Sequence, residues 1–118
     1  MWSPDSKLVA VYMRDTKRSG DTAIYSVIGD KVIAIAVPDL MPRIRPHLTA
    51  ELRSSWIRPE VWLPDHVLIL SVEGTQLNEE HANFRFILTL ELRIDKKGKA
   101  AAKITSFRQD RSIDCSVK

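Results

Sequence analysis

The sequence is poor in cysteine, glycine and long apolar runs, and each shortage excludes a class of protein. Cys115 is the one cysteine and cannot form an intrachain disulfide. A reactive thiol needs a pKa-lowering environment that a chain end rarely supplies, so we expect Cys115 to have no role. Four scattered glycines cannot build a glycine-rich loop for phosphate. No stretch approaches the ~20 consecutive apolar residues of a membrane-spanning helix, so we predict no membrane span.

The composition that remains is typical of one small globular domain. The chain has 118 residues, of which 44% are hydrophobic and 28% are charged. This length supports one hydrophobic core, so we predict a single domain over residues 1–118. The formal charge of +3 is a mild excess. A mild excess is weak evidence for nucleic acid, because binding requires basic groups that converge on phosphates.

Motifs for catalysis and for metal binding are missing. The three histidines, His47, His66 and His81, occur in three different contexts, and no Gly-x-Ser-x-Gly sequence is present. Cys-x-x-Cys and His-x-x-x-His spacings are also absent. Glu79 and Glu80 precede His81, and we interpret these three residues as a solvated loop tip. The sequence therefore predicts a protein that is not an enzyme and that holds no metal or cofactor.

A weak internal repeat is the most informative pattern. Segments 2–11 and 62–71 align without a gap. The shared residues are Trp2 with Trp62, Pro4 with Pro64, Asp5 with Asp65, and Leu8 with Leu68. Pro-Asp is a tight-turn signal before a strand, and both copies run into apolar segments. We therefore predict two related β units, in which Trp2 and Trp62 take equivalent packing positions.

Hydrophobic periodicity predicts six strands. The ranges are 8–13, 22–28 and 32–37 in the first unit, and 67–73, 83–95 and 100–109 in the second. Segment 8–13 is apolar throughout, which predicts burial on both faces, and 83–95 alternates apolar with polar residues. Polar loops are expected at 14–21 and 74–82. Short turns at 29–31 and 96–99 predict two hairpins.

Residues 38–60 contain the one helical candidate. Pro46 suits a helix start, and Leu48, Leu52 and Trp56 recur every four residues before Pro59. We predict a helix over 46–57. The predicted fold is mostly β, with two antiparallel propeller-blade-like meanders of six to seven strands and one α-helix inserted between them. The segments are 1–37 (first meander), 38–60 (Pro-rich lead-in and helix), 61–109 (second meander) and 110–118 (tail).

The first unit resembles the Trp-Ser-Pro-Asp-Gly repeat of bacterial β-propellers. The Tol-system periplasmic propeller and the propeller domains of prolyl oligopeptidases carry this repeat. Ala23, Ile24 and Tyr25 stand where its next strand begins, whereas Ser6 and His66 replace its usual glycine. The resemblance implies a periplasmic or otherwise exported protein. It transfers no active site, because prolyl oligopeptidases place their catalytic residues outside the propeller.

An interaction surface is the functional candidate that the residues favour. Arginine and tryptophan dominate the energetics of protein interfaces. The candidates around the predicted helix are Arg43, Arg45, Arg53, Trp56 and Arg58. We therefore predict a non-enzymatic module that binds a protein partner, in the class of an inhibitor or binding protein. Open sheet edges also predict a homodimer formed through an edge.

Two alternatives remain open. One is anion or nucleic-acid binding through the arginine-rich segment and the last hairpin, which carries Lys96, Lys97, Lys99 and Lys103. Few aromatic residues accompany these lysines for base stacking, so we do not expect nucleic acid as the partner. The other alternative is that the chain is the propeller fragment of a larger hydrolase.

Overall fold

A computed structural model describes residues 1–77, 83–95, 97 and 99–110. The elements in chain order are β1 (Leu8–Thr16), β2 (Ser19–Ile28), β3 (Lys31–Ile35), α1 (Met41–Ile44), a 3-10 turn (Arg45–His47), β4 (Leu52–Leu63), β5 (Val67–Gln76), β6 (Asn83–Ile94) and β7 (Ala100–Gln109). The mostly β fold with one short helix is confirmed. None of the described helices has the length and apolar character needed to cross a membrane.

All seven strands belong to one mixed sheet that does not close. The strand order is β1-β2-β4-β5-β6-β7, and β3 pairs with β2 outside this path. One edge of β2 is therefore shared, because β3 pairs with Ile24–Ile28 whereas β4 pairs with Ser19 and Gly20. The β2–β4 pair is parallel and all the others are antiparallel. Two separate propeller blades are not confirmed by this topology.

Strands β5 and β6 supply the centre of the hydrophobic core. In β6, every second residue from Phe84 to Leu92 is buried, which confirms the predicted alternation and the hairpin to β7. Leu40 and Ile44, at the short helix, and Ile24 and Ile35 belong to the same buried cluster. The apolar stripe of each strand thus meets one shared core, and its removal from water is the main stabilising term.

The predicted helix over 46–57 is wrong. Its second half is strand β4, which pairs with β5 along nearly its whole length, and the helical turns end at His47. The four-residue spacing of Leu48, Leu52 and Trp56 is therefore not a helical stripe. Serine, tryptophan and isoleucine have modest helix propensity, so pairing with β5 decides the conformation. Pro59 is tolerated because the register shifts between Pro59 and Val61.

The first hairpin also differs from expectation. The predicted loop 14–21 shrinks to a turn at residues 17–18, because β1 continues to Thr16 and β2 begins at Ser19. Likewise β5 extends to Gln76 rather than ending at residue 73.

Strand β1 is not buried on both faces, since Val11 is 39% and Met13 is 44% exposed. The reason is that Val11 and Met13 point to the face of the sheet opposite the one on which Leu8 and Ala10 join the core.

The two copies of the repeat share one backbone conformation but differ in their turns and strand register, since Asp65 also has positive φ (65°) whereas Asp5 does not. Ser6 and His66, which replace the usual glycine, both adopt the left-handed conformation that glycine favours, each with φ of 61°. Trp2 pairs with Val9, whereas Trp62 pairs with Leu68, a difference of one residue in register. As a result Trp62 is buried and Trp2 is 54% exposed. The predicted equivalence of the two tryptophans is therefore wrong.

Candidate functional site

Two aromatic and two arginine side chains meet where β1, β2 and β4 run side by side. The guanidinium carbon of Arg58 lies 5.4 Å from the ring centroid of Tyr12 and 5.8 Å from that of Trp56. The Arg14 guanidinium carbon also lies 5.8 Å from the Trp56 centroid. We call Tyr12, Arg14, Trp56 and Arg58 the aromatic–arginine cluster.

The pairing of β2 with both neighbours creates this cluster. Gly20 pairs with Arg14 of β1 on one side and with Trp56 of β4 on the other. A Cβ atom on Gly20 would lie 2.2 Å from the Tyr12 hydroxyl oxygen. The absence of a side chain at this position therefore leaves the space that the Tyr12 ring occupies, beside Arg58.

The two cations of the cluster are exposed, and the two aromatic rings are half-buried. Arg14 donates from Nε to the Thr16 carbonyl oxygen at 3.1 Å, which anchors its side chain at the end of β1. Neither Arg14 nor Arg58 forms an ion pair within the part of the chain that the structure describes. Cation–π contacts hold each guanidinium against a ring while its N–H groups can still donate hydrogen bonds to an external carboxylate.

Glu73, an acidic residue beside Trp56 in the strand register, is paired with another arginine. Glu73 is the register partner of Trp56, and its Oε1 atom lies 3.0 Å from Arg85 Nε. Arg85 also contacts Asp110 at 3.3 Å and Glu60 at 3.4 Å. The Ser71 hydroxyl donates to Glu60 at 2.5 Å. Three carboxylates thus surround one guanidinium, and none of the three forms an ion pair with Arg14 or Arg58 within the part of the chain that the structure describes.

The five predicted interaction residues do not form one surface. Trp56 and Arg58 lie together in the cluster, whereas Arg43 lies on α1 and Arg45 on the 3-10 turn. Arg53 lies at the start of β4, in the register shift between Leu52 and Ser54. The predicted helix would have carried all five residues on or beside one element, and the observed strand separates them.

Arg45 faces acidic groups rather than an open anion site. It lines a cleft of about 380 Å³ together with Asp15, Asp21 and Asp39. Desolvation in this cleft, with a smaller effect of the Asp15 charge, raises the pKa of Asp21 above its ordinary value. His47, the next basic neighbour, packs its ring 5.5 Å from Phe86 and 5.4 Å from Phe107. The acidic lining of this cleft does not favour the alternative of anion binding through the arginine-rich segment.

Sequence reasoning missed Tyr12 and Arg14. The predicted strand ended at residue 13, and Arg14 was assigned to the polar loop 14–21, so the shared face of Tyr12 and Arg14 became visible only when β1 proved to continue to Thr16. What the sequence did not indicate was the parallel contact between β2 and β4, which joins strands separated by more than twenty residues.

The repeated turns form a second polar contact, which is structural. His66 Nε2 and Asp5 Oδ2 lie 2.5 Å apart, and Trp62 Nε1 donates to the Met1 carbonyl oxygen at 3.0 Å. The hydrogen bond with His66 is the largest factor that lowers the Asp5 pKa from 3.8 to about 2. These contacts tie the N-terminal turn to the turn between β4 and β5.

Metal-ligating clusters are not found among the described residues. His66 is paired with Asp5, and His47 lies against two phenylalanine rings, so both have structural contacts. The predicted loop tip at Glu79, Glu80 and His81 and the thiol of Cys115 lie outside the described residues. No protein-family model, curated protein or solved structure matches the chain.

Proposed function

We propose that this chain is a non-enzymatic protein-interaction module that binds its partner through the aromatic–arginine cluster. The observation that carries the proposal is the contact of Arg58 with both the Tyr12 and the Trp56 ring. Arg14 also contacts the Trp56 ring. Tryptophan, tyrosine and arginine are the residues most enriched at energetic hot spots of protein interfaces. Their clustering here, with cations that have no described acidic partner, indicates an acidic protein surface as the ligand.

The two alternatives have less support. The described lysines of the last hairpin, Lys97, Lys99 and Lys103, have no aromatic ring available for base stacking, because Phe107 stacks on Phe86 at 5.1 Å in the core. The hydrolase-fragment alternative depends on propeller blades, and the sheet is a single mixed one. A relation of the two turns to propeller blades remains a prediction, supported by the shared φ of Ser6 and His66. Export depends on the resemblance alone.

The test compares capture by matched double variants. The wild-type chain, immobilised through its C-terminus, is incubated with nuclease-treated lysate of the organism that encodes it. The Trp56→Ala and Arg58→Ala double variant is expected to lose the retained protein, because it removes the shared ring and one cation of the cluster. The control is Arg43→Ala with Arg45→Ala, which removes two exposed arginines from the helical segment. The control is expected to retain the partner.

Equal capture by wild type and by the Trp56→Ala and Arg58→Ala variant would overturn the proposal. Loss of the partner from the control alone would show that the binding surface lies on the helical segment. Thermal unfolding of each variant is measured in parallel, so that a loss of capture is assigned to the surface only where the variant remains folded.

A further inference from the structure

The open edge of β1 lies next to the aromatic–arginine cluster. Strand β1 pairs with β2 on one side, and among the described residues its other edge pairs with the first three residues of the chain. There the Ala10 amide donates to the Met1 carbonyl oxygen at 2.9 Å, and the Met1 amino group donates to the Ala10 carbonyl oxygen at 3.0 Å. This edge therefore already pairs with an extended segment in antiparallel orientation.

Two further residues of β1 present their backbone groups to the same edge. Backbone N–H and C=O groups of alternate residues in a strand point to the same side. Because those of Ala10 point away from β2, those of Tyr12 and Arg14 do as well. The regular register of β1 with β2 continues to Arg14 before it shifts. An additional strand can thus pair with Tyr12 and Arg14, just beyond the segment that Met1 occupies.

The side chains along this edge specify the pattern of that strand. Tyr12 and Arg14 belong to the cluster, whereas Val11 and Met13 lie on the opposite face and are exposed. A residue placed opposite Tyr12 or Arg14 would share their face and lie next to the Arg14 side chain. Acidic side chains fit those positions, and apolar side chains fit the positions that alternate with them beside Val11 and Met13.

We propose that the open edge of β1 binds an extended segment of the partner protein by strand addition, and that acidic and apolar residues alternate in this segment. The proposal rests on the proposed function and names the mode by which the cluster binds. Charge complementarity selects this occupant over a second copy of the chain. Two β1 edges paired with each other would bring Arg14 of both copies together, and like charges in adjacent strands are destabilising.

The test uses a short synthetic peptide in which Glu and Val alternate, with acetylated and amidated ends and a fluorescent label for anisotropy. The protein carries any tag at its C-terminus, because residues added before Met1 would extend along the edge under test. Binding is expected for this peptide. Replacement of every Glu by Lys is expected to abolish binding, since it reverses the charge placed next to Arg14.

Backbone methylation separates strand addition from side-chain contact. Residues opposite Tyr12 and Arg14 direct their own amides toward β1, so N-methylation of two Glu residues is expected to weaken binding by about tenfold or more, from two lost hydrogen bonds. N-methylation of two Val residues is the matched control and is expected to leave the affinity within about twofold, because those amides point away from β1. Equal affinity of the two methylated peptides would overturn strand addition.

The outcomes distinguish this proposal from the proposed function. If no form of the peptide binds while the Trp56→Ala and Arg58→Ala variant still loses the partner, strand addition is wrong and the interaction surface stands. If the peptide binds with the expected methylation pattern but capture does not depend on the cluster, the proposed function is wrong and the edge site stands. A chain that sediments as a dimer, and becomes a monomer on Arg14→Glu, would overturn the acidic occupant in favour of a second copy.

Discussion

At the residue scale, His66 and Asp5 show how one departure from a sequence pattern gains a structural role. His66 takes the position where the resembled repeat has glycine, and it still adopts positive φ. A non-glycine residue in that conformation is strained by roughly 1 kcal/mol or more. The contact between its imidazole and Asp5 at 2.5 Å offsets part of that cost, and it joins two turns that are sixty-one residues apart.

The Asp5 carboxylate makes a specific acid dependence testable. The Asp5 pKa is lowered from 3.8 to about 2, with the His66 hydrogen bond as the largest cause. A lowered pKa in the folded state means that this carboxylate contributes stability above pH 3.8, and that the contribution is lost as the pH falls toward 2. We expect the urea midpoint of the wild type to fall more steeply over that window than the midpoint of Asp5→Asn.

Asp30→Asn is the matched control, since Asp30 is another exposed aspartate in a turn. It is expected to keep the steep fall of the wild type in equilibrium urea unfolding. Parallel curves for wild type and Asp5→Asn between those two pH values would show that the contact with His66 does not stabilise the folded chain.

At the element scale, the close pairing of β4 with β5 depends on a missing side chain. Gly74 is the partner of Ser55, and a Cβ atom at Gly74 would lie 2.1 Å from the Ser54 carbonyl oxygen and 2.7 Å from the Phe84 ring. The Ser54 oxygen belongs to the backbone of β4, which cannot move aside without breaking the strand pair. Gly20 is different, because the atoms that a Cβ would meet there belong to the mobile end of Tyr12.

This contrast predicts two different effects of adding one methyl group. Gly74→Ala is expected to lower the free energy of unfolding by about 1–3 kcal/mol, because overpacking forces β4 and β5 apart. Gly20→Ala is expected to have a smaller effect on stability, since the Tyr12 ring can swing outward, but to weaken partner capture because Tyr12 then leaves Arg58. Urea unfolding and the capture assay measure the two effects. A Gly74→Ala variant as stable as the wild type would contradict the close approach of these strands.

At the scale of the whole molecule, the two predicted units share one core. Ile24 and Ile35, from β2 and β3, belong to the same buried cluster as Leu68 and Leu88, from β5 and β6. Trp62 adds a direct link, because its indole donates to the Met1 carbonyl oxygen. Neither unit buries its apolar face without the other. We therefore expect the single predicted domain to unfold cooperatively.

We expect one unfolding transition, with the same denaturant midpoint by tryptophan fluorescence and by far-ultraviolet circular dichroism. Leu88 is fully buried, and Leu88→Ala is expected to cost about 2–5 kcal/mol and to shift both midpoints together. Ala101→Ser, which alters an exposed residue of β7, is the control and is expected to shift neither. Separate midpoints for the two signals would show that the first and second units unfold independently.

Local periodicity was sufficient to predict the structure of segments whose conformation depends on neighbours along the chain. The alternation of β6 predicted which of its residues are buried, because adjacent side chains of any strand point to opposite faces. The hairpin at Gly29 was predicted for a similar reason, since its φ of 60° is one that glycine adopts without strain. The mostly β fold follows from such local signals.

Tertiary contacts decided the features that matter most for function. Leu52 and Trp56 have a spacing that fits a helix, and only the long antiparallel pairing with β5 makes their segment a strand. The aromatic–arginine cluster requires Gly20 to pair with Trp56, a parallel contact that no short-range pattern encodes. The sequence by itself determined which segments prefer to be extended and which side chains prefer to be buried. The tertiary structure alone decided which strands became neighbours, because strand partners are selected by the burial of a shared core between distant segments.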